Sequence, residues 1–167
     1  MSDLFAPAPA ANAITIASNL DLSDVLIRRW WGTVVDIVVL CALLLVLGGL
    51  QLSAGAGDEA AYLLASIWFA CVAIYFPVME GVWGCTVGKM ASGMIVVDAT
   101  GRPPGVWKAF VRTIFRLFEV NPLLAGGIPV AIAVSLSKRR QRLGDMIVGT
   151  YVIPIKQFRR LGSAAGA

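Results

Sequence analysis

Histidine is absent from the 167-residue chain, which removes the commonest general base and the commonest transition-metal ligand together. Cysteine is scarce. Cys41, Cys71 and Cys85 are the only three, and all lie in or beside apolar runs, without the spacing of a zinc site or a redox pair; there a thiol behaves as a small hydrophobe. Neither a nucleophile–base arrangement nor a metal set appears, so no enzyme, cofactor or metal is expected. Charge is sparse too, at 14% of residues against 58% apolar, and the mean hydropathy is +0.79. A soluble domain of this length would have too little polar surface to cover itself. The chain therefore reads as an all-α integral membrane protein.

The uncharged runs place the membrane. Residues 37–57, extended back through Asp36 to the tryptophans Trp30 and Trp31, form a first span, and residues 60–79 form a second. Each reaches the roughly 20 residues that cross the hydrocarbon layer. A third apolar run, residues 120–137, is interrupted by Pro122, Gly126, Gly127 and Pro129.

The basic residues set the orientation. Arg28 and Arg29 precede the first span; Lys89, Arg102, Lys108, Arg112 and Arg116 follow the second; Lys138, Arg139, Arg140, Arg142, Lys156, Arg159 and Arg160 complete the 14. The connection "SAGAGDEA" holds none of them, so the positive-inside rule predicts that it is external and that both termini are cytoplasmic, in a multi-pass protein of the cell (inner) membrane. A simple third crossing would export the basic cluster after Ser137. A re-entrant hairpin broken at "AGGIP" avoids this conflict, and hairpin and span both stay open.

Three segments divide the chain: a flexible Ala/Pro-rich arm at 1–22, a membrane domain at 23–155 and a basic tail at 156–167. Asp21 or Ser23 can cap the first helix. "GCTVGK" lacks the first glycine and the final hydroxyl of a phosphate loop, which excludes nucleotide binding on this motif. "MIVVDATGRPPG" predicts a short cytoplasmic β-hairpin, its return cut short by Pro103 and Pro104. In "PGVWKAFVRTIFRLFEV", Lys108, Arg112 and Arg116 recur every four residues and form a basic stripe beside an apolar face. That pattern predicts an amphipathic helix on the cytoplasmic surface, its stripe contacting anionic lipid headgroups. Nucleic acid is disfavoured as a partner because the aromatic groups continue the apolar face.

Arg29, Gly32 and Asp36, the stretch "TVGKMASGMIVVDATGRPPG", Arg112 and "RRQRLGDMIVGTYVI" resemble the signatures of the RDD family of membrane proteins, named for one arginine and two aspartates. The resemblance makes Asp145 the second named aspartate. It implies a membrane domain whose role is mostly unassigned, with transport suggested and cation/proton antiport attributed to some members. Gly144 stands where many members carry histidine, and Gly32 where alanine is usual.

Asp36 is the charged residue inside the first span, and an intramembrane carboxylate is costly unless it has partners. Arg29, Gly32 and Asp36 share a helix face, but Arg29 leans away from Asp36 toward the headgroups. The expected partners are therefore Arg142 for Asp36 and Asp145 for Arg29, with Glu80 joining the cluster. Such a cluster is either a structural clip or a site of ion handling at Asp36. The expected function is an accessory or scaffold subunit at the cytoplasmic face. The alternative is an oligomeric transporter, working by cation/proton antiport through Asp36. Further copies of the chain or a membrane partner protein are the expected associates.

Overall fold

Asp21 starts the first long helix: its carboxylate accepts from the Asp24 amide at 3.1 Å, which satisfies one of the first-turn donors that a helix leaves unpaired. In the computed structural model, residues 10–55, 57–119 and 128–159 are described. Helix α1 is Ala10–Ser18, α2 is Leu22–Ser53 and α3 is Asp58–Trp83. Helices α2 and α3 are long and apolar enough to cross a membrane, at about 48 and 39 Å by the standard rise per residue. Their apolar side chains point outward, with Leu45 and Leu52 of α2 and Leu63 and Phe69 of α3 all exposed. The two helices are tied at mid-length by the Trp68 indole, which donates to the Leu40 carbonyl at 3.0 Å.

The remaining elements gather at one end of this pair. Short helix α4 (Val87–Ala91) is followed by β1 (Met94–Asp98), α5 (Val106–Glu119), α6 (Ile128–Leu136), α7 (Leu143–Val148) and β2 (Thr150–Pro154). The expected turn is present, with the Gly101 amide bonding the Asp98 carbonyl at 3.1 Å. The expected hairpin is not. Pro103 and Pro104 have no N–H to offer a ladder, and β1 pairs antiparallel with the distant β2, Val96 standing opposite Val152.

One face of this two-stranded sheet, carrying Ile95, Val97, Tyr151 and Ile153, buries Ala13 and Ala17 of α1 together with Phe158. Residues 10–18, expected within a flexible arm, form a helix whose Ala13 and Ala17 dock closely on the sheet. Phe158, expected in a basic tail, belongs to the core. Residues 1–9 and 160–167 lie outside the described ones. The other sheet face, with Met94, Val96 and Val152, looks toward the membrane helices.

Helix α5 starts against the cluster end of α3, where the Gly105 amide donates to the Gly81 carbonyl at 3.2 Å. A Cβ on Gly81 would lie 2.5 Å from the Val106 Cα, so only glycine admits this approach. Helix α6 has nine described residues, about 14 Å of helix. Its Val134 packs on Leu20 and Val25 at the start of α2. The break expected at residues 125–129 falls largely in 120–127, outside the described residues.

Candidate functional site: a buried polar cluster

Asp36 lies on the face of α2 that meets α4, and it is buried. Glycine on both sides makes the contact possible, since a Cβ on Gly88 would stand 1.9 Å from the Gly32 carbonyl oxygen. Close approach brings backbone donors to the carboxylate. The Gly88 amide donates to Asp36 Oδ1 at 2.8 Å, the Tyr75 hydroxyl to the same oxygen at 2.9 Å, and the Thr86 hydroxyl to Oδ2 at 2.7 Å. Those donors are themselves held: Tyr75 accepts from the Val87 amide at 3.1 Å, and Thr86 accepts from the Lys89 amide at 3.2 Å as the N-cap of α4. The expected Asp36–Arg142 ion pair is not formed. Neutral donors from α3, α4 and the α3–α4 connection satisfy this carboxylate, and among the described residues no basic group lies within ion-pair distance of it.

The other two acids gather the cations. Glu80 takes Lys89 Nζ at 2.6 Å and Arg116 Nη2 at 2.9 Å on Oε1, and Arg112 Nη2 at 3.5 Å on Oε2. Arg112 Nη2 also reaches Asp145 Oδ1 at 2.9 Å, and Arg29 Nη1 lies 3.6 Å from Asp145 Oδ2. The Arg29 guanidinium further donates to the Arg140 carbonyl at 2.7 Å, which ties the base of α2 to the loop before α7. Arg142 donates from its backbone amide to Asp145 Oδ2 at 3.2 Å. Glu80 and Asp145 are therefore linked through Arg112 and join α2, α3, α4, α5 and α7.

Burial pushes the Lys89 ammonium down, to about 7; Glu80 opposes this, while Arg112 and Arg116 add to it. Burial alone would raise Asp145, but Arg112, Arg29 and Arg142 outweigh it and hold that carboxyl below its ordinary value. Two cavities of about 10 Å³ each adjoin the cluster, one lined by Asp36, Arg29 and Lys89, the other by Glu80, Arg112 and Asp145; Arg116 and Arg142 line both. Each has room for about one water molecule. Among the described residues no three Asp, Glu or Cys side chains converge as a metal site would require.

Two members of the α5 basic stripe face the protein, and the third, Lys108, is partly exposed. Arg112 is buried, Arg116 stacks its guanidinium 4.2 Å from the centre of the Phe76 ring, and Lys108 reaches Asp98 at 4.0 Å. Periodicity gave the stripe correctly but not the side that faces the protein, because Glu80 and Asp145 come from other elements. Tyr75, Thr86, Gly88 and Lys89 were missed. Tyr75 and Glu80 are polar groups in the second half of the apolar helix α3, and that pairing was the available signal for Tyr75. Thr86 was legible as a helix cap in "TVGK".

The sequence model of the RDD family matches residues 25–149, well over half of the chain. The chain belongs to the RDD family. No curated protein and no solved structure gives a match. Within this RDD protein the three residues of the family name divide in two. Arg29 and Asp145 meet each other, while Asp36 is occupied by the start of α4. Gly144 lets α7 close on α5, for a Cβ there would stand 3.0 Å from the Phe115 Cβ and 3.4 Å from the Arg112 Cα.

Proposed function

We propose that this RDD protein is a non-catalytic accessory or scaffold subunit of the cell membrane, with both termini cytoplasmic and the third apolar run, residues 120–137, entering and leaving on the cytoplasmic side as a re-entrant hairpin. It presents its cytoplasmic end to a membrane partner protein or to further copies of itself. The observation that carries this reading is the bonding of Asp36. Three donors from separate parts of the chain converge on it, and the glycine contact between Gly32 and Gly88 holds α4 over it. Such an arrangement suits a tether. The Arg29–Asp145–Arg112–Glu80 chain supports the same reading, since it joins four elements through paired charges that would be costly to separate.

The alternative is an oligomeric transporter exchanging cations for protons through Asp36. One observation favours it: a space for about one water lies between Asp36 and Lys89. Purified protein in sealed vesicles separates the two. A scaffold gives no dissipation of an imposed pH gradient on adding sodium, potassium or lithium. Dissipation by the wild type that disappears in a folded, correctly inserted Asp36→Asn variant would reject the scaffold reading.

A further inference from the structure

Helix α5 is built inside out relative to a helix on a water-soluble surface. Its charged residues Arg112 and Arg116 turn inward, Ala109 is fully buried, and Trp107, Phe110 and Ile114 turn outward. Helix α7 repeats the pattern, with Asp145 buried and Leu143, Met146 and Ile147 exposed. In water this would leave a wide apolar surface without cover, which monomeric soluble proteins avoid. In hydrocarbon it is the required arrangement, because ionised groups must face the protein interior and each other.

This surface is continuous with a lipid-facing one. Gly81 seats the start of α5 directly on α3, whose neighbouring Ile74 and Val82 are exposed in a helix long and apolar enough to span a membrane. The boundary with water is marked by the partly exposed ion pairs Asp24–Arg28 and Asp98–Lys108. One turn beyond Arg28, Trp30 and Trp31 are exposed, as aromatic side chains commonly are at a membrane–water interface.

We infer that α5 and α7 are immersed in the acyl-chain layer of one leaflet, with phospholipid tails packed on Phe110, Ile114, Met146 and Ile147, so that the charge cluster is roofed by lipid. The inference holds whether the protein is a scaffold or a transporter. It adds a lipid-contact surface to that of the two long helices, and it sets α5 deeper than a helix lying on the membrane surface, with Arg112 and Arg116 turned to the protein and Lys108 left at the water boundary.

Spin labelling tests it on the full chain in phospholipid vesicles. In a background of Cys41→Ala and Cys71→Ala, with buried Cys85 retained so that folding is not disturbed, nitroxides are attached at Phe110→Cys, Ile114→Cys and Ile147→Cys. Leu45→Cys, at mid-span, is the lipid reference, and Glu59→Cys is the aqueous one. The expected result is an oxygen-to-nickel-chelate collision ratio at all three positions that matches Leu45 and exceeds Glu59 several-fold. A ratio like that of Glu59 would place the face in water. Low collision with both reagents would mean that a second copy or another protein covers it. Either outcome overturns the inference.

Discussion

Replacing Gly88 with alanine tests whether Asp36 serves as the tether of α4. The added Cβ would stand 1.9 Å from the Gly32 carbonyl oxygen and 2.7 Å from Asp36 Cγ. To restore a close C···O contact of roughly 3.3 Å, α4 has to retreat by about 1.4 Å. Both clashing atoms belong to one packed helix, so the retreat carries the Gly88 amide away from Asp36, to which it is bonded at 2.8 Å. Overpacking of this kind costs about 1–3 kcal/mol, and loss of a hydrogen bond to a charged group adds about 1.5–3 kcal/mol. The expected destabilisation is about 3–5 kcal/mol. Gly32→Ala is milder, because its nearest neighbours, the Ser92 hydroxyl at 3.0 Å and the Gly88 carbonyl oxygen at 3.1 Å, stand much farther from the added Cβ. The assay is reversible unfolding in mild detergent, followed by tryptophan fluorescence, for Gly88→Ala, Asp36→Asn and the double variant. Both single changes remove the same contact, so the double variant falls short of their sum by about 1 kcal/mol or more. Strict additivity, or a Gly88→Ala cost within the roughly 0.5 kcal/mol typical of neutral surface changes, would refute the tether.

Glu80→Gln leaves Lys89, Arg112 and Arg116 without the carboxylate they share, and should cost about 3–5 kcal/mol in the same unfolding assay, as removal of one partner of a buried pair does; a loss under about 1 kcal/mol would mean that the three cations find other partners. Asp145 is held below its ordinary value by its arginines, so its contribution to stability is complete above the unfolded-state value of about 3.9 and disappears as pH falls through the lower folded-state value. Asp145→Asn should therefore be less stable at neutral pH and show a flatter acid limb in a plot of stability against pH; an unchanged acid limb would show that this pairing does not contribute.

Local sequence was informative wherever a period or a cap is a property of a few neighbouring residues. The length and polarity of α2 and α3, the Asp21 cap, the turn after Asp98 and the basic stripe of α5 follow from short-range pattern. So does the placing of Arg29 and Asp36 on one helix face. The polar cluster was legible in membership more than in wiring: Arg29 does lie beside Asp145, but Asp36 takes Tyr75, Thr86 and the Gly88 amide in place of Arg142. A backbone N–H has no signature in sequence. It became a partner because Gly32 and Gly88 let two helices approach closely.

By itself, the sequence determined that the chain lives in a membrane, because apolar length and scarcity of charge are one-dimensional quantities. It also determined which acids and bases must be satisfied in an apolar setting. Tertiary structure decided the pairing of β1 with β2, residues that lie more than fifty positions apart, and the docking of α1 on their outer face. It also decided which way α5 faces. An amphipathic helix carries both a charged and an apolar side, and the carboxylates of Glu80 and Asp145, brought from α3 and α7, drew the arginines inward and left the aromatic face outside.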